Sequence, residues 1–245
     1  MKAIAIVGAS GGIGAALLAL LAARDDVAVI HATYHQSLAG GSLGNIAGTG
    51  SSVRIQWSSL DASDEASVAR WVAGIEKIDW LINCVGMLHD QIHGPEKSIR
   101  SFDPDYFHKS MSINCLPTLL LGKHVLPALQ DSTHGVFATI SARVGSIADN
   151  RLGGWYSYRA SKAALNMALK NLAIEWNRSS PNLRVASLHP GTTDTRLSKP
   201  FQRNVPKAKL FAPDKTAQLL IEQIEQLHQH PSGRFIAFDG AEIPW

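Results

Sequence analysis

Short apolar segments alternate along this chain with longer segments in which apolar residues recur every three or four positions. The short segments predict strands at residues 3–7, 27–33, 53–57, 80–84, 136–140, 185–188 and 234–238. The longer segments predict helices at residues 13–23, 65–75, 110–129, 156–176 and 214–228. Strand–helix alternation is typical of a parallel sheet covered on both faces. The predicted fold is therefore α/β, a Rossmann-type doubly wound parallel sheet of about seven strands with helices on both faces.

Three segments interrupt this alternation. Residues 36–52 are rich in Gly and Ser and predict a surface loop, and residues 87–104 are polar with no clear period. Residues 192–213 contain three prolines and several basic residues. Loops of this length inside a compact domain are usually functional or mobile. Neither a repeat nor a linker marks a second domain, so residues 1–245 are predicted to form one domain.

Charge and composition exclude several classes of protein. The formal net charge of +3 is spread along the chain, and no run of Lys and Arg suggests a nucleic-acid or membrane partner. The N-terminal apolar run is too short for a signal peptide, and no apolar stretch is long enough to span a bilayer. Cys84 and Cys115 are expected to be reduced and buried, and the histidines are too scattered for a metal site. These features predict a cytoplasmic protein without a metal.

A glycine-rich turn follows the first predicted strand and leads directly into a helix. Gly8 allows the tight turn, Gly12 lets the backbone approach a pyrophosphate, and Gly14 lets the helix pack against the sheet. The free N–H groups of the helix then point at the phosphates. This context predicts a dinucleotide site. Its residues are Gly8, Ser10, Gly11, Gly12, Ile13 and Gly14.

Five motifs follow one another along the chain. They are the glycine turn with three residues between Gly8 and Gly12, the segment Asn83-Cys84-Val85-Gly86, Asn114, the Y-x-x-x-K pair Tyr158 and Lys162, and the segment from Pro190 and Gly191 to Thr195. In order and spacing they resemble the motifs of the short-chain dehydrogenase/reductase family. Residues 149–162 and 239–245 are most similar to the subgroup of C-factor and Sniffer-type carbonyl reductases. The resemblance covers most of the chain.

The resemblance implies positions for the rest of the cofactor. Asp61 and Ala62 would flank the adenine ring, and Asn83 and Gly86 would line the adenosine half. In the segment that begins with Pro190 and Gly191, Thr192 and Thr195 would contact the nicotinamide carboxamide and the diphosphate. Members of the family are often homodimers or homotetramers, so a homo-oligomer is expected. The expected partner is a small carbonyl or alcohol substrate.

The end of the second predicted strand bears on the choice between NAD and NADP. NAD enzymes place an acid there, which binds the ribose hydroxyls and repels a 2′-phosphate. This chain reads Ala32-Thr33-Tyr34-His35 and has no acid at that point. Thr33 could donate to a phosphate oxygen, and protonated His35 could supply positive charge. NADP (NADPH) is favoured, with NAD possible because no Arg or Lys stands there.

Tyr158 and Lys162 lie four residues apart on a predicted helix and therefore share a face. A free tyrosine has a pKa of about 10 and is a poor base at neutral pH. A neighbouring ammonium and an oxidised nicotinamide are expected to lower that pKa. Tyr158 is therefore predicted to be the catalytic acid/base. Lys162 would also hold the nicotinamide ribose, and Asn114 would anchor a water that links Lys162 to solvent.

The serine that polarises the carbonyl in this family has no clear equivalent. The family's second Ser after the fifth strand corresponds to Ala142, next to Ser141. Three possibilities are open: Ser141 turns into the site, Ser146 reaches it from the next loop, or the site lacks the serine and is slow. Ser141 is favoured over Ser146.

The sequence favours an NAD(P)-dependent oxidoreductase that moves a hydride between NADPH and a carbonyl or alcohol. The alternative is a nucleotide-binding signalling or regulatory protein of C-factor type with little turnover, which the missing serine would suit. A dehydratase or epimerase of the same fold is a third interpretation.

Overall fold

Seven parallel strands form the central sheet of the computed structural model, which describes residues 1–35 and 53–245. Their order across the sheet is β3-β2-β1-β4-β5-β6-β9. The strands are β1 (Lys2–Val7), β2 (Val27–Tyr34), β3 (Arg54–Ser59), β4 (Trp80–Asn83), β5 (Val136–Ile140), β6 (Arg184–His189) and β9 (Arg234–Ala237). The predicted loop at residues 36–52 lies outside the described residues.

Helices cover both faces of this sheet and complete two apolar cores. The helices are α1 (Gly12–Ala22), α2 (Glu65–Ala73), α3 (Pro104–Asn114), α4 (Leu116–Leu129), α5 (Tyr156–Ser179) and α6 (Pro213–Gln226). Leu17 of α1 and Leu220 of α6 pack on one face. Trp71 of α2, Leu121 of α4 and Leu165 of α5 pack on the other. The predicted doubly wound α/β fold is confirmed.

The helix predicted at residues 110–129 is two helices. α3 starts earlier than predicted, because Asp103 caps its N-terminus by accepting from the Tyr106 amide at 2.8 Å. The helical ladder breaks after Asn114. Pro117 has no N–H to donate, and the Thr118 N–H donates to the Cys115 carbonyl at 3.1 Å. The break releases the Asn114 carbonyl from the regular ladder at the edge of the candidate site.

The predicted loop at residues 192–213 contains short elements of regular structure. Strands β7 (Thr192–Thr193) and β8 (Leu210–Phe211) pair in parallel, and a 3-10 helix spans Lys199–Asn204 between them. The Thr193 hydroxyl lies 2.9 Å from the Thr216 hydroxyl of α6 and anchors this segment to the domain. The segment therefore begins in a fixed position beside the ends of the strands.

The sheet has one topological switch point. β1 lies between β2 and β4, so the chain moves outward from β1 in both directions. In open α/β sheets, ligands bind at this point, outside the carboxyl ends of the strands. The glycine turn after β1 and the motif after β4 meet there.

Asp79 ties the amino ends of three strands together. Its carboxylate accepts from the Ala3 amide at 2.8 Å and from the Ser132 hydroxyl at 2.7 Å. Burial alone would raise the pKa of Asp79, but these hydrogen bonds and the nearby Lys77 hold it below its usual value. Replacing Asp79 with alanine is expected to lower the free energy of unfolding by about 1–3 kcal/mol at pH 7.

The lowered pKa of Asp79 also fixes the pH range of this contribution. The carboxylate stabilises the fold above its unfolded pKa of about 3.9, and the contribution is lost as pH falls through the lower native value. Urea unfolding at pH 7 and in acid, with the exposed Asp131→Ala as control, measures the effect. A loss for Asp131→Ala as large as that for Asp79→Ala would contradict this account.

Candidate active site

The turn after β1 has the geometry of an anion-binding site. Gly8 has a φ of 80°, and its amide donates to the Thr33 hydroxyl at 3.0 Å. A Cβ on Gly14 would lie 2.3 Å from the Gly8 carbonyl oxygen, so only glycine fits there. Helix α1 starts at Gly12 with no side-chain cap, because Gly11 precedes it. Its first N–H groups are left for a ligand such as a phosphate.

The segment after β6 closes over this turn. A Cβ on Gly12 would lie 2.5 Å from Cγ2 of Thr195, so the threonine covers the glycine backbone. Gly191 has a φ of 73°, and a Cβ there would lie 2.8 Å from the Phe211 ring of β8. The segment that begins at Pro190 therefore brings Thr195 against the backbone at the start of α1.

A cavity runs along the carboxyl ends of β1, β2 and β3. Its lining includes Gly8, Thr33, Tyr34, His35, Leu60, Asp61, Ala62, Ser63 and Val85. The cofactor contacts predicted for Thr33, His35, Asp61 and Ala62 require these residues to be neighbours, and the structure brings them together here. Tyr34, Ser63 and Val85 also line the cavity. The sequence indicates only Val85 among these three, by its place between Asn83 and Gly86.

Two ionisable groups face each other at the rim of this cavity. The Asp61 carboxylate accepts from the Ser63 hydroxyl at 2.6 Å and amide at 2.9 Å. These bonds and the nearby His35 hold the pKa of Asp61 below its usual value. His35 Nε2 lies 3.7 Å from the Asp61 carboxylate. His35 therefore has an acidic neighbour at the rim, although no acid stands next to His35 in the sequence.

Asn83 supports the site from beneath. Its buried side chain donates to the Thr118 hydroxyl at 3.1 Å and accepts from the Val85 amide at 3.0 Å. The asparagine thereby fixes the turn after β4, and Val85 is the residue of this motif that lines the cavity. The expected contact of Asn83 with the adenosine half stays a prediction beside this supporting role.

Asn114, Gly86 and Lys162 meet at the break between α3 and α4. A Cβ on Gly86 would lie 3.4 Å from both Asn114 Oδ1 and Lys162 Nζ. The Asn114 side chain accepts from the Met87 amide at 2.7 Å and donates to the Met87 carbonyl at 2.9 Å and the Ser161 hydroxyl at 3.0 Å. The Asn114 amide group therefore links three of the five motifs.

Tyr158 and Lys162 lie on one face of α5, and both are buried. Lys162 Nζ donates to the Ile140 carbonyl at 3.0 Å and lies 5.8 Å from the centre of the Tyr158 ring. Burial lowers the pKa of Lys162 to about 8, opposed by a smaller effect of Cys115.

The expected fall in the pKa of Tyr158 does not occur in the protein alone. Burial of the phenol raises the pKa of Tyr158, and Tyr106 adds to the rise. Burial raises the pKa because removal from water penalises the charged phenolate. The Lys162 ammonium does not offset this effect, because its Nζ donates to the Ile140 carbonyl. Burial and Tyr106 both favour the protonated phenol over the phenolate.

The two candidate serines are both engaged elsewhere. Ser141 is buried, and its hydroxyl donates to Asn166 Oδ1 at 2.7 Å, beside a matching bond from Ser187. The Ser146 hydroxyl donates to the Pro244 carbonyl at the C-terminal end of the chain. Ser141 as the polarising group stays a prediction, and the contact of its hydroxyl with Asn166 argues against it. Its side chain follows the strand's alternation and turns into the core, leaving Ala142 on the opposite side.

Glu96 holds the start of α5 and was not found from the sequence. Its buried carboxylate accepts from the Ser157 hydroxyl and, at 3.1 Å, from the Ser157 amide. Its carbonyl accepts from the Trp155 amide at 2.5 Å. A carboxylate at a helix N-terminus also complements the helix dipole. Glu96 therefore positions the turn that carries Tyr158.

Metal-binding clusters and membrane-spanning helices are both absent from residues 1–35 and 53–245. These ranges contain no group of three or more His, Cys, Asp or Glu side chains arranged to hold a metal ion. None of the helices in the same ranges has the length and apolarity needed to cross a membrane.

The sequence is similar to that of a known protein family and of two known proteins. The short chain dehydrogenase family model matches residues 2–206. The chain is 33% identical to 1-hydroxy-2-glutathionyl-2-methyl-3-butene dehydrogenase of Rhodococcus sp. (strain AD45), over 75% of each chain. It is 35% identical to C-signal of Myxococcus xanthus, over 58% of this chain and 82% of that protein.

Solved structures share the whole fold. Carbonyl reductase Sniffer of D. melanogaster superposes with a TM-score of 0.85 at 22% identity, covering 100% of both chains. The NADPH-bound carbonyl reductase from chicken fatty liver superposes with a TM-score of 0.82 at 22% identity, covering 100% of this chain and 94% of the other. At these identities the structural likeness establishes the fold alone.

Proposed function

Because the chain belongs to the short-chain dehydrogenase/reductase family and is an NAD(P)-dependent oxidoreductase, we propose that it is an NADPH-dependent carbonyl reductase with Tyr158 as acid/base. The observation that carries this proposal is the meeting of Tyr158, Lys162, Asn114 and Gly86 beside the glycine turn, at the carboxyl end of the sheet. The substrate class is ketones and aldehydes, or the matching alcohols in the reverse direction.

The residues of this chain fit a nicotinamide dinucleotide. The free N–H groups at the start of α1 and the hydroxyl of Thr195 would hold the diphosphate. The cavity from Thr33 to Asp61 would hold the adenosine half, with Ala62 and Val85 against the base. Lys162 would hold the ribose next to the nicotinamide. The segment from Pro190 to Thr192 would lie against the carboxamide.

Tyr158 carries the proton chemistry in this proposal. When bound, the cofactor supplies a hydride to the carbonyl carbon. The Tyr158 hydroxyl gives its proton to the carbonyl oxygen, so the carbonyl becomes an alcohol and the tyrosine becomes a phenolate. The Lys162 ammonium offsets that negative charge. In the opposite direction the phenolate takes the alcohol proton.

Asn114 supports the return of the proton to Tyr158. Both side-chain N–H groups donate to Met87 and Ser161, and Oδ1 accepts from the Met87 amide, so we place the predicted water on the backbone carbonyl of Asn114. The helix break at Pro117 makes that carbonyl available. A proton then reaches the phenolate by way of Lys162, whose pKa of about 8 suits exchange near neutral pH.

We propose that no other residue takes over the role of the polarising serine. Ser141 and Ser146 donate to Asn166 and to the Pro244 carbonyl, so Tyr158 supplies the hydrogen bond to the carbonyl oxygen alone. A site with one donor fewer is slower, since one oxyanion donor contributes about 10²–10³-fold in rate. Carbonyls that accept a hydride readily are the substrates that such a site serves best.

His35 is the group that favours NADPH. Replacing His35 with arginine is expected to lower the KM for NADPH about tenfold and leave that for NADH within about twofold, because a guanidinium binds phosphate in a bidentate manner. Asp61→Asn should act in the same direction, since it removes the carboxylate 3.7 Å from His35. Initial rates at varied cofactor concentration measure both constants. Equal changes for both cofactors would contradict the assignment.

A second candidate function is a nucleotide-binding regulator with little turnover. The likeness to C-signal and the engagement of both serines favour it. Oxidation of NADPH, with NADH in parallel, over a panel of ketones, aldehydes and quinones distinguishes the two functions. Turnover of any carbonyl supports the reductase. Binding of NADPH without turnover over the whole panel supports the regulator.

The cellular setting and assembly are also proposals. Cys84 and Cys115 are both free thiols, which suits the reducing cytoplasm. Leu119 of α4, with Met167 and Ile174 of α5, presents exposed apolar side chains. A homodimer or homotetramer built on these two helices would cover them.

A further inference from the structure

An aromatic cluster adjoins Tyr158 and bears on the identity of the substrate. The Trp155 ring meets the Tyr158 ring edge-on, with 6.2 Å between centroids, and lies 5.4 Å from the Phe201 ring. Phe201 lies 5.8 Å from the His89 ring, again edge-on. The three rings beside Tyr158 come from separate segments: the loop after β4, the start of α5 and the 3-10 helix after β7.

The backbone of Trp155 is strained. Its φ of 54° and ψ of 42° are left-handed, and it is the only non-glycine residue with a positive φ within residues 1–35 and 53–245. Gly153 and Gly154 before it have the same sign of φ. Glu96 holds the conformation by accepting the Trp155 N–H at 2.5 Å. Strain of this kind clusters at functional sites, where the side chain it displays is needed.

The cluster is a surface feature rather than part of the core. Trp155, Phe201 and His89 are each only partly buried. His89 Nε2 lies 3.3 Å from the Arg196 carbonyl, so the cluster also joins the segment after β6 to the loop after β4. Partly exposed rings beside the proton donor are available to a ligand.

We propose that Trp155 and Phe201 form the wall of the substrate pocket and select carbonyl compounds that carry a flat aromatic group. This inference rests on the proposed reductase function. Aromatic rings attract each other in offset and edge-to-face arrangements, and burying one removes a large apolar area from water. An aryl group packed on this wall places its attached carbonyl next to Tyr158. Trp155 is then a specificity-determining residue, separate from the proton chemistry.

A matched pair of substrates tests the wall. The diketones 1-phenyl-1,2-propanedione and 2,3-butanedione present the same reactive group and differ by phenyl against methyl. Trp155→Gly is expected to lower kcat/KM for the phenyl compound about tenfold relative to the methyl compound. Glycine accepts a left-handed backbone, so the melting temperature should hold or rise. Trp155→Phe should keep most of the preference, and Leu152→Ala, 91% exposed, should keep all of it.

A binding measurement separates this inference from the reductase function. Calorimetric titration of 1-phenyl-1,2-propanedione into NADPH-loaded Tyr158→Phe is compared with the same titration of Tyr158→Phe/Trp155→Gly. Binding about tenfold weaker in the double variant supports the wall, even when the wild type reduces neither diketone and the reductase function fails. Equal binding in the two proteins, no binding in either, or an unchanged substrate ratio in Trp155→Gly overturns the inference.

Discussion

Replacing Tyr158 with phenylalanine is expected to lower kcat/KM for carbonyl reduction by about 10²–10⁴-fold, the usual contribution of a positioned acid or base. The change removes one hydroxyl from a buried ring and keeps the edge-on contact with Trp155. Affinity for NADPH should stay within about twofold, because the glycine turn and the cavity along the strand ends are untouched. Steady-state rates and cofactor titration measure the two quantities.

The matched control for this variant is Tyr156→Phe. Tyr156 stands two residues earlier on α5, and 38% of its surface is exposed. Removing its hydroxyl should leave kcat/KM within about twofold. Tyr158→Phe with near wild-type activity would remove the proton donor from the mechanism. Equal losses in the two variants would point to damage of α5.

Replacing Ala142 with serine is expected to raise kcat for carbonyl reduction about tenfold or more. Ala142 has extended backbone (φ −149°, ψ 143°), so its side chain points opposite to that of the buried Ser141. A hydroxyl there would add an oxyanion donor where Ala142 supplies none, and such donors contribute about 10²–10³-fold. Initial rates at saturating NADPH and carbonyl measure the gain.

Ser141→Ala is the companion to this variant. Its hydroxyl donates to Asn166 in the core, so the change should lower the free energy of unfolding by about 1 kcal/mol. The kcat should stay within about twofold. If Ser141→Ala abolished turnover and Ala142→Ser left it unchanged, the carbonyl would be polarised by Ser141 after all.

The architecture could be predicted from local pattern because strand and helix periods differ and because glycines mark a tight turn. Gly14 is an example: no Cβ fits beside the Gly8 carbonyl, so residue type alone indicates the close approach. The sequence predicts one helix over residues 110–129, although Pro117 has no N–H to donate. Where the helix breaks depends on the hydrogen bonds made around this proline, and in the structure the Thr118 N–H donates to the Cys115 carbonyl.

Features that depend on tertiary packing could not be predicted. Which of two adjacent side chains after β5 faces the site depends on how the strand is turned in the sheet, and residue type alone does not reveal that Ser141 points into the core. The direction of the pKa shift of Tyr158 follows from burial, which is a property of the packed domain. Glu96 and Trp155 meet only because the loop after β4 folds back on the start of α5.

Transfer of deuterium from NADPH that carries two deuterium atoms at the nicotinamide C4 position tests the central claim most directly. The wild-type protein is incubated with labelled NADPH and each carbonyl of the panel, and the product alcohols are analysed by mass spectrometry. The account predicts one deuterium on the carbon that bore the carbonyl, and almost none with Tyr158→Phe. NADPH binding by the wild type without any deuterated alcohol across the panel would contradict it.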